Sequence, residues 1–205
     1  MVSDSIRLVI ADDQALVRGA LAALLELEGD LVVVGAAADG DEAVRLVREH
    51  APDVCLMDIQ MPGTDGIDAT RRIREAGPAT RVLIVTTFAR PGYLRQALDA
   101  GASGFVVKDT PAEQLADAVR RVHAGQRVLD PVLAEESLFT GASPLSERER
   151  QVLRLAADGR SAAAIASEVF LSVGTVRNHL SSAIGKTGAA NRAQAVRIAQ
   201  DNGWI

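Results

Sequence analysis

The sequence has a single cysteine, Cys55, and few aromatic residues: one tryptophan, one tyrosine and four phenylalanines among 205 residues. One cysteine excludes an intramolecular disulfide, which fits a reducing compartment. No stretch of about 18 uncharged apolar residues is present, so no membrane span is predicted. The first residues, MVSDSIRLVI, lack the basic segment and long apolar run of a secretory signal. These absences favour a cytoplasmic protein.

Charge is unevenly distributed along the chain, whose net charge is −5. Residues 144–205 hold eight Lys+Arg and five Asp+Glu, a charge of +3. Residues 1–143 hold 22 − 8 = 14 basic and 27 − 5 = 22 acidic groups, a charge of −8. Hydrophobic residues make up 48% of the chain, enough for a sizeable core, and the length suits one large domain or two modest ones. An acidic front and a basic tail favour two domains with different partners.

Up to about residue 125, short apolar runs alternate with amphipathic helical patterns. The runs are IRLVIA (6–11), LVVVGA (31–36), DVCLM (53–57), RVLIVT (81–86) and GFVVK (104–108). They are almost continuously apolar, which is typical of parallel strands covered on both faces. Five strands alternating with five helices predict an α/β fold with a doubly wound, five-stranded, flavodoxin-like parallel sheet of order 2-1-3-4-5.

Helix starts can be read between the predicted strands. Asp39 is followed by Glu42, and Thr110 by Pro111 and Glu113, patterns that predict N-caps at Asp39 and Thr110.

The alternation stops after residue 125. Residues 126–143, with a proline and the small polar run TGAS, predict a linker that contains a short helix near 131–139. The linker would join a first domain at 1–125 to a second at 144–205.

Helical patterns resume in the second domain. In LSERERQVLRLAADG, the spacing of Ser146 and Glu149 predicts a capping box. Three further helices are expected near 162–169, 173–186 and 191–202, which gives an all-α domain of four helices.

Three acids follow two of the predicted strands. Asp12 and Asp13 come after the first strand and Asp58 after the third, and in the predicted order these strands are neighbours. Two unit charges about 4 Å apart repel by roughly 4 kcal/mol at an effective dielectric constant of 20. A bound divalent cation would offset this repulsion, and oxygen-only ligands favour Mg²⁺ over Zn²⁺.

Lys108 and Thr86 end two further strands at the same edge of the sheet. An ammonium and a hydroxyl beside a metal-binding carboxylate suit a phosphoryl group, because they stabilise its charge. Asp58 would be the nucleophile that forms an acyl phosphate.

Each of these residues also has a structural interpretation. Asp12 or Asp13 could cap the helix that starts near Gln14, Lys108 could be an ordinary loop charge, and Thr86 could be a plain strand residue. The joint placement of all of them favours the functional interpretation.

The segment SAAAIASEVFLSVGTVRNHLSSAIGK predicts a helix-turn-helix with its turn around 170–173. The second helix would present its first residues to the major groove. The candidate DNA contacts are Thr175, Val176, Arg177, Asn178 and His179 for bases or nearby phosphates, with Lys186 and Arg192 for phosphates. The pattern also fits a small helical bundle with Val176 in its core and Arg177 in solvent.

The motifs ADDQALVR, LMDIQMPGTDG, VLIVTTF and GFVVKD, over about residues 5–125, resemble the receiver domain of two-component response regulators. The resemblance implies phosphorylation of Asp58 by a sensor histidine kinase. It also implies roles for further residues: Asp13, Asp58 and the Gln60 carbonyl as Mg²⁺ ligands, Asp12 acting mostly through water, Lys108 as the partner of the phosphoryl group, and Thr86 with Phe105 as a switch pair.

Residues 144–205 resemble the LuxR-type four-helix DNA-binding domain, and the whole chain resembles the NarL/FixJ class of transcription regulators. The resemblance implies a homodimer on phosphorylation and a double-stranded DNA operator, with RNA polymerase as a further candidate partner. Two residues depart from the pattern. Thr187 stands where leucine is usual, and Gly185 interrupts the second helix at a cost of about 1 kcal/mol.

Two other functions fit parts of the sequence less well. An aspartyl-phosphate hydrolase normally needs a second acid two residues after the nucleophile, and that position holds Gln60. A LuxR-type quorum sensor needs a ligand pocket lined by aromatic residues, and this chain has only one tryptophan and one tyrosine. The expectation is therefore a regulator and not an enzyme.

Overall fold

The computed structural model describes residues 5–77, 79–87, 91–130 and 143–205. These residues form two compact units, one around a parallel sheet and one made of helices. The helix predicted near 131–139 lies outside the described residues. Within the described ranges, no helix is long and apolar enough to cross a membrane.

The first unit contains a six-stranded sheet of order β2-β1-β3-β4-β5-β6 in which every neighbouring pair is parallel. The strands are β1 (Ile6–Ala11), β2 (Leu31–Ala37), β3 (Val54–Met57), β4 (Arg81–Thr86), β5 (Gly104–Val107) and β6 (Val128–Leu129). The predicted α/β class and the order 2-1-3-4-5 are confirmed. The two residues of β6, which fall in the stretch predicted as linker, extend the sheet beyond β5.

Successive residues of the central strands are buried on both sides of the sheet. Leu8 and Val9 in β1 are both fully buried, as are Val54 and Cys55 in β3. Because helices cover both faces, the alternation of apolar and polar residues disappears, and the strands were recognisable as continuous apolar runs.

Five helices accompany the sheet: α1 (Ala15–Glu26), α2 (Gly40–His50), α3 (Gly66–Glu75), α4 (Pro91–Asp99) and α5 (Ala112–His123). Leu25 of α1 and Leu115 and Val119 of α5 share one hydrophobic core with β1, β3, β4 and β5.

The predicted cap of α2 is confirmed, and that of α5 is wrong. The Asp39 carboxylate accepts the N–H of Glu42 at 2.8 Å. At α5 the N-cap position is held by Pro111, whose backbone is extended and which offers no side-chain cap. Because the helix begins at Ala112, Thr110 lies one residue too early to cap it.

The second unit consists of α6 (Glu147–Ala157), α7 (Ala162–Glu168), α8 (Val173–Thr187) and α9 (Arg192–Asp201). The capping box is present, since Ser146 and Glu149 each accept the other's backbone N–H. All four helices pack around one core that includes Val152, Ile165 and Val176. The predicted four-helix domain is confirmed.

Candidate functional site

The three acids meet at the C-terminal edge of the sheet. Asp12 and Asp13 follow β1, Asp58 follows β3, and the Asp58 N–H donates to the Ala11 carbonyl at 2.8 Å. One carboxylate oxygen of each acid lies within 4.8 Å of the others. Asp12 and Asp58 are buried, whereas Asp13 is exposed and keeps the cluster open to solvent. The sequence predicted this convergence.

Lys108 reaches into the acid cluster. Its Nζ lies 2.7 Å from Asp12 Oδ2 and 2.8 Å from Asp58 Oδ2. Burial disfavours the ammonium, but the hydrogen bonds to the two carboxylates outweigh it and hold the pKa of Lys108 above its usual value. The Lys108 N–H donates to the Thr86 carbonyl at 2.9 Å, which aligns the ends of β4 and β5.

The charges of the cluster do not cancel. Three carboxylates and one ammonium sum to −3 + 1 = −2. The ligand atoms are all oxygens, and one acid remains exposed. Such a set suits a hard divalent cation that keeps several of its waters.

The loop after Asp58 is tightly held. Asp58 Oδ1 accepts the Ile59 N–H at 2.7 Å, and the Gly66 N–H donates to the Ile59 carbonyl at 2.9 Å. A Cβ atom on Gly66 would lie 1.8 Å from the Asp58 carbonyl oxygen, so only glycine allows this approach. Gln60, predicted to offer its carbonyl to a metal, is exposed in this loop.

The two residues predicted as a switch pair lie inside the domain. Thr86 ends β4 and is fully buried. Phe105, paired in register with Ile84 on the neighbouring strand, is fully buried as well. Neither side chain reaches the surface in this structure.

Sequence reasoning missed the role of Arg18 in this pocket. Its guanidinium donates to the Asp12 carbonyl, and Asp12 Oδ1 accepts the Gln14 N–H at 2.9 Å. Asp12 thus bonds both the N-cap residue of α1 and Lys108, and it does not itself cap the helix, because Gln14 holds the N-cap position and no side chain caps α1. The position of Arg18 one turn after Gln14, in ADDQALVR, is the signal that could have found it.

The second unit contains the predicted helix-turn-helix, formed by α7, a turn and α8. In the turn, Phe170 has a left-handed backbone (φ 54°) and is almost wholly exposed. Ser172 caps α8 by accepting the Thr175 N–H at 3.0 Å. Residues on one face of α8 are open to solvent: Gly174, Arg177, Asn178 and Ser181.

The residues predicted to contact DNA differ in their exposure to solvent. Arg177 and Asn178 are exposed, and Thr175 and His179 are partly exposed. Val176 is fully buried in the core of the unit, so its side chain cannot reach a nucleic acid. This correction follows from the helical period, which turns Val176 inward.

The cations predicted to bind phosphates have partners within the unit. Lys186 Nζ donates to Glu149 Oε2 at 2.8 Å, and Arg192 donates to the carbonyls of Ala156 and Arg160 at 2.7 and 2.6 Å. Ser182 Oγ donates to Glu149 Oε1 at 2.7 Å. Burial would raise the pKa of Glu149, but hydrogen bonds from Lys186, Ser182 and Ser146 lower it to about 2.

Both units match known families. The model of the response regulator receiver domain matches residues 8–120, and that of bacterial regulatory proteins of the luxR family matches residues 143–199. The chain therefore belongs to the response regulators that join a receiver to a LuxR-type DNA-binding domain.

The curated relatives extend over the whole chain. It is 44% identical over 200 residues to the transcriptional regulatory protein DesR of Bacillus subtilis (strain 168), covering 98% of this chain and 99% of that one. Uncharacterized transcriptional regulatory protein YvfU of the same organism is 45% identical, with 98% and 100% covered.

Solved structures agree with this assignment. The response regulator ChrA of a heme-sensing two-component system is 36% identical, with a TM-score of 0.59 and coverage of 98% of this chain and 100% of that one. The RcsB–DNA complex is 26% identical, with a TM-score of 0.67 and coverage of 96% and 98%.

Proposed function

We propose that this response regulator is switched by phosphorylation of Asp58 and that the switch controls its binding to DNA. The phosphoryl donor would be a phosphohistidine of a sensor histidine kinase. The observation that carries the proposal is the convergence of Asp58 with Asp12, Asp13 and Lys108 at one edge of the sheet.

In the proposed transfer, an Asp58 carboxylate oxygen attacks phosphorus while the phosphorus–nitrogen bond to histidine breaks. The imidazole leaves and takes up a proton, and Asp58 becomes an acyl phosphate. The Lys108 ammonium, already at the carboxylate, stabilises the phosphoryl oxygens. The Thr86 hydroxyl would then hydrogen-bond to the phosphoryl group.

The acid cluster fits Mg²⁺ by its charge of −2 and its all-oxygen ligands. Asp13, Asp58 and the Gln60 carbonyl would hold the ion, with Asp12 contributing mostly through water. Bound there, Mg²⁺ would neutralise charge on the transferring phosphoryl group.

Phosphorylation would make the charge of the pocket more negative. The phosphoryl group adds roughly 1.5 to 2 negative charges. Lys108, which now pairs with two carboxylates, would be drawn toward it, and Thr86 would turn inward with Phe105 following. Both side chains are already buried here, so the switch requires a second state in which Phe105 is less buried.

The change would alter how two copies of the chain associate. The face of α4, β5 and α5 is one candidate surface, and the face of α1 and α5 is the other. The apolar surface of α1 favours the second, because Leu16 in the first turn of α1 and Leu27 just after its last residue are 87% and 81% exposed. Exposed leucines on a receiver helix are best explained by a partner that covers them.

A dimer would place two α8 helices about 34 Å apart, one turn of DNA, on a paired operator. Arg177, exposed on α8, suits a contact to a phosphate or to guanine, and Asn178, also exposed, suits a contact to adenine. A domain of charge +3 binds weakly alone, so pairing would raise affinity through effective concentration. Contact with RNA polymerase would then link operator binding to transcription.

The test is phosphorylation by acetyl phosphate with Mg²⁺, followed by peptide mapping in a mass spectrometer. One phosphoryl group is expected on Asp58 and none in Asp58→Asn. Asp68→Asn, which changes an exposed aspartate of α3, is the matched control and should be modified like the wild type. Equal dimerisation and equal DNA binding by wild type and Asp58→Asn after this treatment would refute the coupling.

A further inference from the structure

We infer that Lys186 positions the recognition helix α8, that Arg192 holds α9 against α6, and that neither binds a DNA phosphate, which leaves Arg177 as the cation that α8 offers to DNA. The inference rests on the proposed DNA-binding function and specifies which residues of that surface face the nucleic acid.

Lys186 is committed to a buried acid. Glu149 lies in the first turn of α6, and its side chain is only 5% exposed. Its two carboxylate oxygens accept hydrogen bonds from Lys186 and Ser182, both on α8, and from the Ser146 N–H. Moving Lys186 to a phosphate would leave a buried carboxylate with less of its compensation, which is costly. The contact therefore fixes α8 against the start of α6.

Arg192 acts at the opposite end of α6. Its guanidinium donates to the carbonyl of Ala156, in the last turn of that helix, and to the carbonyl of Arg160 just beyond it. Helix carbonyls at this end lack partners within the helix and carry the negative end of its dipole, so a cation is stabilising there. Lys186 and Arg192 thus hold the two ends of α6.

Arg177 differs from every other cation of the domain. Of the eight Lys and Arg residues in the described range 143–205, it alone has a side chain that makes neither an ion pair nor a hydrogen bond, to side chain or backbone. It lies on the exposed face of α8 with Asn178 and Ser181. Its guanidinium can approach DNA without breaking an internal contact.

The salt dependence of DNA binding separates the two roles. Full-length protein would be titrated against a fluorescein-labelled duplex of mixed sequence, with anisotropy recorded over a series of KCl concentrations. Each phosphate contact contributes about 0.9 to the slope of log K against log salt. Arg177→Gln should reduce the slope by about that amount, whereas Lys186→Gln should leave it unchanged. Arg197→Gln, which removes an exposed charge on α9, is the control and should also leave it unchanged.

The stability of the domain supplies the second readout. Trp204, the chain's only tryptophan, packs against the core of this domain, so its fluorescence reports the unfolding of the domain. Glu149→Gln and Lys186→Gln should each lower the unfolding midpoint, the double variant should lower it by less than the sum, and Lys186→Arg should restore most of it. Additive effects would overturn the positioning role.

The remaining outcomes are also decisive. A slope reduced by Lys186→Gln as much as by Arg177→Gln, with unchanged stability, would make Lys186 a phosphate contact and overturn the inference. Failure of the wild type to bind the duplex would instead overturn the proposed DNA-binding function, and the double-variant cycle would still decide whether Lys186 positions α8.

Discussion

The ammonium of Lys108 lies 2.8 Å from Asp58 Oδ2, although the two residues are fifty positions apart in the chain. The same ammonium lies 2.7 Å from Asp12 Oδ2. The carboxylate that we propose as nucleophile is therefore held in place before any phosphoryl donor arrives. The cation that would receive the phosphoryl oxygens is already beside it.

Replacing Lys108 by methionine should destabilise the receiver and strengthen its response to Mg²⁺. Two buried carboxylates would lose their cation, and breaking a buried pair on one side costs about 3–5 kcal/mol. The charge of the cluster would change from −2 to −3, so Mg²⁺ should bind more tightly and recover much of the loss. Urea unfolding followed by circular dichroism, with and without Mg²⁺, measures both effects. Lys108→Arg is the control that keeps the charge, and equal stability of Lys108→Met and wild type would contradict the prediction.

The DNA-binding domain should lose stability in acid because of Glu149. Its pKa is lowered from 4.5 to about 2 in the folded state, so the stabilisation is present above pH 4.5 and is lost as the pH falls toward 2. A shift of this size corresponds to on the order of 3 kcal/mol at pH 7. Trp204 fluorescence during urea unfolding at pH 7 and pH 3 would measure it. In Glu149→Gln the difference between the two pH values should shrink, and an unchanged difference would show that other acids cause it.

Gly185 and Gly188 should respond to alanine in opposite directions. Gly185 lies within α8, and nothing lies within 4 Å of the position of an added Cβ. Alanine there should stabilise the domain by up to about 1 kcal/mol. Gly188 ends the helix with φ 66°, a left-handed conformation that disfavours alanine by roughly 1 kcal/mol. Urea unfolding of both variants compares them directly, and stabilisation by both would contradict the argument.

Leu16 and Leu27 should matter for dimerisation if α1 forms the interface. Their replacement by aspartate would place charges on an apolar surface that a second copy must cover. Sedimentation after acetyl phosphate treatment should show monomers, while phosphorylation of Asp58 is retained. Asp99→Lys, on the exposed surface of α4, is the control for the other face. Loss of dimers in that variant alone would assign the interface to α4, β5 and α5.

The sheet could be predicted because its strands are buried on both faces. The predicted bounds of β1 and β4 agree with the structure at both ends. Because the ends of the strands could be predicted, so could the convergence of the residues that follow them: Asp12, Asp13, Asp58 and Lys108. The strand β6 could not be predicted, since two apolar residues in a polar stretch carry too little pattern.

The DNA-binding surface was harder to predict. The helix-turn-helix could be located from the sequence. The predicted contacts, however, were consecutive residues, whereas a helix presents only one face to DNA. The prediction therefore included Val176, which is buried. The partners of Lys186 and Arg192 depend on how α6 packs against α8 and α9, and no local pattern encodes that packing.

Gly66 lies so close to the Asp58 carbonyl that this position tolerates no side chain. The residue type at position 66 is therefore as restricted as that of the acids in the pocket. Any side chain at that position would displace Asp58 from its place in the pocket, although all three aspartates would still be present. A genetic screen for regulators that are produced normally but ignore their stimulus should therefore recover substitutions at a residue with no functional group of its own.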